Sequence, residues 1–210
     1  EVTWLAAATA PPPAPEPGLT PVPVPAWNGI ERRMGLPLPL WGPPALRRLG
    51  RALAGADAVM LHETLYAGNI AAFLAARRAG IPVLLVQHVG RIAYASPLLR
   101  GLMAAGDRAA ARPMLGAADQ VVFVGQRTAR EFADLRYRRP PAVILNGVDA
   151  ETFRPEPEGR AQARLRARLG LAPQTPLVLF AGRFVEKKGL PVLRGLAAMH
   201  PGIAFILAGW

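Results

Sequence analysis

The sequence predicts an α/β protein built around a doubly wound parallel sheet, followed by the first part of a second α/β domain. Short apolar runs alternate with helical patterns between about residues 45 and 145. The run at residues 81–86 is continuously apolar, as is typical of a central parallel strand. A further apolar run at residues 177–181 precedes a basic, glycine-containing loop and helical spacing at Leu190–Met199, which predicts the second domain.

The composition fits a globular chain and excludes several classes of protein. Hydrophobic residues make up 51% of the 210 residues, which is ample for a core. The chain has no cysteine, so neither a disulfide scaffold nor a cysteine-based zinc site is available, and a reducing compartment fits. No apolar stretch reaches the roughly 18 residues that a membrane span needs.

The net charge of +11 invites an anionic partner. The basic residues are spread along the chain in short clusters, without a long basic run or an aromatic-interleaved pattern. We therefore expect no nucleic-acid binding. A peripheral contact with an anionic membrane surface fits this distribution better.

The first 44 residues predict a strand followed by long irregular segments. Residues 2–8 favour a buried strand, and the proline-dense residues 11–25 favour an extended loop. Residues 27–44 carry turn signals and six large apolar side chains that either cover a hydrophobic acceptor or pack on the sheet, and packing is favoured. These are Trp27, Met34, Leu36, Leu38, Leu40 and Trp41.

The following elements alternate between helix and strand. Residues 45–53 predict a basic helix and residues 58–61 a strand. Residues 69–79 predict a helix that ends at Gly80 and places Ile70, Phe73 and Leu74 inward. The later elements are a helical stretch at 96–115 broken near Gly106 and Pro113, a strand at 120–124, a helix at 128–135 and a strand at 142–145.

A change in composition marks the domain organisation. Residues 149–176 are rich in Glu, Pro and Arg and contain one helical pattern at 159–169 that Gly170 ends. We predict a first domain at residues 1–155, a connection at 156–175 and the beginning of a second domain at 176–210. Strand-like runs at both ends of the sequence predict that the chain is an internal piece of a longer protein.

The loop at residues 182–189 is the strongest candidate for a binding site. It reads Gly-Arg-Phe-Val-Glu-Lys-Lys-Gly and contains the only two lysines of the chain, Lys187 and Lys188. A basic loop between a strand and the start of a helix favours anions, because free N–H groups at a helix N-terminus add to the side-chain charges. The loop is therefore predicted to cradle phosphate.

Polar residues follow four predicted strands, where ligands bind in open α/β sheets. Two of the three histidines, His62 and His88, lie at such ends, and imidazole can donate to a substrate or carry a proton near neutral pH. The third, His200, is predicted to be a surface turn residue. The four strand-end groups are His62-Glu63, Gln87-His88, Asn146-Gly147-Val148-Asp149, and Gly182-Arg183 with Lys188.

The spacing of these groups resembles the retaining glycosyltransferases of family 4 over about residue 45 to the end of the chain. The strands ending at His62 and His88 agree with that layout. The other motifs are Asn146-Gly147-Val148-Asp149, Phe153, Pro155, Leu169-Gly170-Leu171, Leu179-Phe180-Ala181-Gly182-Arg183-Phe184, Glu186-Lys187-Lys188-Gly189 and Leu207-Ala208-Gly209.

This resemblance implies a GT-B architecture, in which two Rossmann-like domains enclose the active site. It implies transfer of a sugar, with retention at the anomeric carbon, from a nucleotide-sugar donor to a glycan, lipid-linked or small-molecule acceptor. It also implies no metal and no other cofactor, and a cytoplasmic location that extends to the inner membrane face. The implied donor-binding residues are Gly182, Arg183, Lys188 and Asn146, the catalytic residues His88, Arg183 and Lys188, and the acceptor-side residues His62 and Asn69.

Two features of the family pattern are missing from the sequence. The family begins with a strand and a Gly-Gly loop, and it places two glutamates eight residues apart further into the second domain; neither is found here. We therefore expect the 210-residue chain to be inactive alone. Two alternatives stay open, namely another GT-B enzyme such as a nucleotide-sugar epimerase or a phosphorylase, and a non-catalytic truncated paralogue without donor affinity.

Overall fold

The computed structural model describes residues 1–8, 12, 14–34, 38–91, 94, 96–156, 159–185 and 188–209. The chain forms two compact units, Glu1–Asn146 and Gly147–Trp210, which we describe separately. Some residues of the segments and motifs named above lie outside the described residues, among them Pro11, Pro13, Leu36, Glu186, Lys187 and Trp210.

The first unit is organised around a parallel sheet of four strands. In chain order they are β5 (Val59–His62), β6 (Val83–Gln87), β7 (Gln120–Phe123) and β8 (Ala142–Val143), and they lie side by side in that order. This confirms the predicted parallel α/β class, with β6 in the interior of the sheet. Strand β8 is shorter than predicted, because it ends at Val143; Ile144 and Leu145 are exposed, although the N–H of Ile144 still donates to the carbonyl of Phe123 at 3.0 Å.

Helices connect these strands, and the helix before Gly80 ends where the sequence predicts, whereas the helix predicted at 128–135 runs from Gln126 to Glu131 and gives way to turns. Gly80 adopts φ 69° after the helix at Ala67–Arg78, and the N–H of Ile81 donates to the carbonyl of Ala76, which closes the helix. The break predicted between residues 96 and 115 is a π-helical turn at Asp107–Ala111, next to Pro113, which cannot donate a helical hydrogen bond. The helices are α1 (Gly29–Met34), α2 (Pro43–Leu53), α3 (Ala67–Arg78), α4 (Pro97–Gly106), α5 (Arg112–Ala117) and α6 (Gln126–Glu131).

The core of this unit lies between the sheet and its helices. Phe73 is buried and Ile70 packs against the core, as predicted, but Leu74 is 47% exposed. The prediction for Leu74 is wrong because Ala72, Phe73 and Ala76 occupy the inward stripe, and the next residue along a helix points about 100° away. The largest buried core side chains belong to Leu49, Leu61, Phe73, Leu85, Met114, Leu115, Phe123 and Phe132.

A separate parallel pair of strands corrects two expectations for the N-terminal part. Strand β1 (Val2–Ala7) pairs with β2 (Leu19–Val24), so the predicted loop at residues 11–25 contains a strand. The carbonyls of Gly18 and Val24 accept hydrogen bonds from β1, so the backbone groups of even-numbered residues in β2 face β1. The backbone groups of odd-numbered residues face away from it. Pro21 and Pro23 fit there because their missing N–H groups are not needed for the pairing. The strand β1 is also not buried, since Val2 is 59% exposed.

A short antiparallel pair covers part of the segment at residues 27–44. Strand β3 (Ala26–Trp27) pairs with β4 (Leu40–Trp41). Trp41 packs against the core, whereas Trp27 is 54% exposed. The expectation of packing therefore holds for Trp41 and fails for Trp27.

The described part of the second unit contains one parallel strand pair and two helices. Strand β9 (Leu177–Ala181) pairs in parallel with β10 (Ala204–Ala208), with α8 (Leu190–Met199) between them in sequence. These elements agree with the predicted ones, as does α7 (Arg160–Arg168). The prediction that β9 is buried is wrong, because Leu179 is 59% exposed in a two-stranded pair that leaves one face open.

Candidate functional site

The carboxyl ends of β5 and β6 meet at one edge of the sheet, since the two strands are parallel neighbours. His62 is in register with Val86, so His62 and Glu63 lie beside Gln87 and His88. The structure thus brings together two strand-end groups that lie about 25 residues apart in sequence. These groups form the site in the first unit.

The two histidines contact each other directly. Nδ1 of His62 lies 2.8 Å from Nε2 of His88, and the ring centroids are 5.1 Å apart. One of these nitrogens must donate and the other accept, so the tautomers of the two neutral rings are linked. Of the two remaining ring nitrogens, Nε2 of His62 and Nδ1 of His88, one is then a donor and the other an acceptor. The pair can both give and receive a hydrogen bond from a hydroxyl group.

The surroundings of His62 disfavour its charged form. Partial burial lowers the pKa of His62, and the nearby His88 lowers it further by charge repulsion. His62 therefore stays neutral to lower pH than a free imidazole does, which preserves its ability to accept a proton.

Glu63 is a site residue to which the sequence reasoning gave no role. Its Oε1 atom accepts hydrogen bonds from the backbone N–H groups of His88 and Val89, both at 2.8 Å. Its Oε2 atom accepts a 2.8 Å bond from Nε2 of the buried Gln87. Burial raises the pKa of Glu63, although these hydrogen bonds and His88 oppose that shift. In the sequence, Glu63 could have been recognised as a site residue by its position directly after a histidine at the end of a predicted strand.

Asn69, predicted on the acceptor side, holds the backbone of the same edge. Its Nδ2 atom donates to the carbonyls of His62 at 2.5 Å and Glu63 at 2.9 Å. The side-chain amide group is thus engaged with the turn that follows β5. Its predicted contact with an acceptor stays a prediction.

In the second unit, glycines shape the start of the basic loop. Gly182 adopts φ 152°, a conformation that favours glycine, and its N–H donates to the carbonyl of Ala208 at 2.9 Å. A Cβ atom on Gly209 would lie 1.8 Å from the carbonyl oxygen of Gly182. The carboxyl ends of β9 and β10 therefore approach more closely than any side chain at Gly209 would allow.

Two cations follow this glycine contact. Arg183 is half-buried and Lys188 is exposed, and neither side chain has a hydrogen bond or ion pair within the described part of the chain. Gly189, with φ 83°, leads into the N-terminus of α8. An open groove of about 630 Å³ next to the loop is lined by Phe184, Leu190, Pro191, Arg194 and Gly195. The loop thus offers unpaired positive charge at a helix N-terminus, which favours an anion.

The motif Asn146-Gly147-Val148-Asp149 after β8 includes a residue that stabilises a turn. Asp149 accepts hydrogen bonds from the N–H groups of Glu151 and Thr152 and from the hydroxyl of Thr152, which lowers the pKa of its carboxyl group. This aspartate stabilises a turn. Asn146 lies exposed ahead of it, and its predicted contact with a donor stays a prediction.

Metal-binding clusters and membrane-spanning helices are two features that the described residues lack. These residues contain no group of three or more His, Asp or Glu side chains arranged to hold a metal ion. They also contain no helix with the length and apolar character needed to cross a bilayer.

Comparison with known proteins identifies the family. The family model described as Glycosyltransferase Family 4 matches residues 1–152 of the 210. Relatives named D-inositol 3-phosphate glycosyltransferase include that of Mycolicibacterium gilvum, 28% identical over 71% of this chain and 34% of the relative. That of Streptomyces bingchenggensis is 33% identical over 64% of this chain and 30% of the relative, and form 1 of Catenulispora acidiphila is 32% identical over 70% and 35%. The chain spans about a third of the length of these relatives. It belongs to glycosyltransferase family 4.

Proposed function

We propose that this chain is part of an enzyme that transfers a hexosyl group from a nucleotide-sugar donor to an acceptor hydroxyl, with retention at the anomeric carbon. The observation that carries the proposal is the charge of Arg183 and Lys188 in the loop between β9 and α8, where neither side chain has a hydrogen bond or ion pair with any described residue. Family membership supports the sugar transfer, and the chemistry of the loop supports a diphosphate-bearing donor.

In this proposal Arg183 and Lys188 bind the donor diphosphate, with Gly182 leaving room for its approach. When the bond between sugar and phosphate breaks, negative charge accumulates on the departing phosphate oxygen. Cations placed there beforehand stabilise that charge more in the transition state than in the ground state, which accelerates the step. We propose that these cations act without a metal ion or other cofactor, and that Asn146 contributes to donor binding.

His88 is proposed to contact hydroxyls of the transferred sugar, and His62 and Asn69 to face the acceptor. The linked tautomers of the His62–His88 pair provide one donor and one acceptor nitrogen for these hydroxyls. The lowered pKa of His62 keeps its imidazole neutral near pH 7, so this ring can serve as a hydrogen-bond acceptor.

The acceptor is proposed to be a glycan, a lipid-linked sugar or a small polyol. Inositol phosphate belongs in the acceptor panel because the relatives carry that substrate in their name. We also propose a peripheral contact with an anionic membrane on the cytoplasmic side. The support is the net charge of +11 and the exposed Trp27 and Leu40 in the β3–β4 pair. Helix α2, which carries exposed arginines, packs against β4.

The test is a donor and acceptor screen on the complete natural protein that contains this chain. We expect a glycosylated product whose anomeric configuration, read by NMR, equals that of the donor. Inversion would exclude the retaining mechanism. Epimerisation or phosphorolysis of the sugar without an acceptor product would favour the alternative GT-B activities.

Variants connect the activity with the loop. We expect Lys188→Ala to lower kcat/KM by about 10²–10³-fold, the usual effect of removing one group that stabilises transition-state charge. The matched control is Arg168→Ala, which removes an exposed cation on α7 in the same unit that has no hydrogen bond or ion pair among the described side chains. Equal activity of Lys188→Ala and the wild type would contradict the proposed role. The 210-residue chain alone is expected to show no turnover.

A further inference from the structure

We propose that Glu63 is a positioning residue whose carboxylate fixes the backbone of residues 87–89 and thereby sets the imidazole of His88 against that of His62. This inference rests on the role of His88 in the proposed transfer reaction. Neither the family match nor the relatives assign any role to Glu63. Four features of the first unit support this role.

The first feature is the set of groups that the carboxylate holds. Oε1 accepts hydrogen bonds from the N–H groups of His88 and Val89, and both residues belong to the segment directly after β6. Hydrogen bonds to an ionised acceptor are roughly twice as strong as neutral ones. The carboxylate therefore replaces the ladder partner that this segment loses where β6 ends at Gln87.

The second feature is the amide of Gln87. Its Nε2 atom donates to Oε2 of Glu63 at 2.8 Å and to the carbonyl of Val89 at 2.7 Å. Gln87 is only 4% exposed, and its Oε1 atom has no partner among the described residues. The amide orientation thus satisfies two acceptors with one nitrogen. A carboxamide at residue 63 would turn an N–H₂ group either toward this amide or toward the backbone N–H groups of His88 and Val89.

The third feature is the backbone conformation of Glu63. With φ 75°, it is the only described residue other than glycine with a positive φ. Such a conformation is unfavourable for an L-residue, so it persists only where other contacts impose it. Here it is accompanied by a 2.9 Å bond from the N–H of Glu63 to the carbonyl of Val86, and by the bonds from Asn69. The turn therefore aims the side chain of Glu63 across to the neighbouring strand.

The fourth feature is the result for the two histidines. Asn69 holds the carbonyl of His62, and Glu63 holds the N–H of His88, so the main chains on both sides of the pair are fixed. The rings then meet at a nitrogen–nitrogen distance of 2.8 Å. Weakening the hold on His88 is expected to release this contact without changing either imidazole.

The experiment follows the titration of His62 by NMR in this chain, which has only three histidines to assign. If Glu63 positions His88, Glu63→Gln raises the pKa of His62, because partial burial and the proximity of His88 both lower it now. Loss of the Glu63 negative charge alone would lower the pKa of any nearby imidazole. The two explanations thus predict shifts of opposite sign.

Two further variants complete this test. Glu63→Asp keeps the charge but shortens the side chain by one methylene, so it is also expected to raise the pKa of His62. The control is Glu131→Gln. It removes a carboxylate that accepts a 2.6 Å hydrogen bond from the N–H of Arg91 on the same segment, and it should leave the pKa of His62 unchanged. A pKa of His62 that falls or stays constant in both Glu63 variants would overturn the proposal, as would an equal rise in Glu131→Gln.

Activity of the complete natural protein separates this inference from the proposed function. We expect Glu63→Gln to lower kcat by up to about 10²-fold, the cost of a small misplacement, with little change in KM for the donor. In a His88→Ala background the same change should have almost no further effect. An equal loss of kcat in the wild-type and His88→Ala backgrounds would overturn the proposal that Glu63 acts through His88. Full activity in Glu63→Gln despite the shifted titration would instead overturn the role of His88 in transfer.

Discussion

Nδ1 of His62 lies 2.8 Å from Nε2 of His88, although the family resemblance implied a catalytic role for His88 and an acceptor-side role for His62. A hydrogen bond between them makes the acceptor side and the sugar side of the proposed site one unit. When the pair gains one proton, all outward ring nitrogens become donors, and the site loses its hydrogen-bond acceptor. The protonation state of this pair therefore governs what the site can bind.

The lowered pKa of His62 predicts how stability depends on pH. The unfolded chain takes up a proton near pH 6.5, whereas folded His62 does so only at lower pH, so acidification favours the unfolded chain. The contribution of His62 to stability is complete above pH 6.5 and is lost as the pH falls through the folded pKa. We expect wild type to lose stability relative to His62→Gln over this window, as measured by urea unfolding at a series of pH values.

The comparison with His62→Gln is needed because Glu63 works in the opposite direction. Its raised pKa means that the folded state holds a proton more tightly than the unfolded chain above pH 4.5, so Glu63 favours folding on acidification. A stability difference between wild type and His62→Gln that does not vary with pH would contradict the proposed state of His62.

Asp119 is expected to stabilise the opposite edge of the same sheet. Its Oδ2 atom accepts the N–H of the buried Val83 at 2.9 Å, and this bond, followed by the charges of Arg138 and Arg77, lowers the pKa of Asp119 despite its partial burial. Asp119→Ala leaves the N–H of Val83 without this acceptor, which should cost about 1–2 kcal/mol of unfolding free energy. The two ion pairs add little because both arginines are partly exposed.

The control for Asp119→Ala is Asp57→Ala, an exposed acid without a hydrogen bond or ion pair in the described residues. Chemical unfolding at pH 7 should separate the two variants clearly. Because the pKa of Asp119 is lowered, its contribution should disappear as the pH falls below about 3.8. A loss of stability in Asp119→Ala no greater than in Asp57→Ala would contradict this account.

The elements that the sequence predicted best are those whose burial is set locally. The run at residues 81–86 is apolar on both faces, which predicted an interior strand. Gly80 predicted the end of α3 because glycine readily adopts the positive φ found there. The polar residues after the strands followed from the parallel topology. The family likeness then assigned roles that composition could not give.

The features that the sequence missed depend on partners distant in the chain. Pro21 and Pro23 disfavour a strand in the sequence because proline cannot donate a backbone hydrogen bond. They are tolerated in β2 because their backbone nitrogens face away from β1, which only the strand pairing reveals. Leu179 is exposed because the face of β9 on which it lies is open in the second unit. Glu63 acts through backbone groups of residues 25 and 26 positions further along, which no local pattern reveals.

Membrane association is expected to depend on one surface of the first unit. Trp27 is 54% exposed and Leu40 42%, and Arg47 and Arg51 are exposed on α2, which packs against β4 and has no acidic residue. Aromatic side chains favour the lipid interface and arginines favour anionic headgroups. We expect the chain to float with vesicles containing phosphatidylglycerol and not with pure phosphatidylcholine.

Variants locate this surface. Trp27→Ser and the double variant Arg47→Gln/Arg51→Gln should both weaken flotation, and raising the salt should weaken it in the wild type, since surface charges are screened over about 10 Å at 0.1 M. Arg78→Gln, at the end of α3, removes one exposed cation elsewhere and serves as the control. Equal flotation with neutral and anionic vesicles would count against the proposed contact.

The close approach of Gly209 to Gly182 predicts that the second unit is sensitive to one added methyl group. In Gly209→Ala the new Cβ atom would lie 1.8 Å from the Gly182 carbonyl oxygen, so the carboxyl ends of β9 and β10 must separate. This breaks the bond from the N–H of Gly182 to Ala208 and should cost about 1–3 kcal/mol. Gly195→Ala, on α8 with open space around its Cβ position, should instead stabilise by about 0.5–1 kcal/mol.

Hydrogen exchange of the Gly182 amide measures this effect locally. We expect its exchange to accelerate in Gly209→Ala and to slow or stay constant in Gly195→Ala. Because Arg183 and Lys188 follow this contact, Gly209→Ala should also weaken donor binding in the complete natural protein. Unchanged protection of the Gly182 amide in Gly209→Ala would show that the strand ends tolerate a side chain. The glycine pair would then not be what shapes the basic loop.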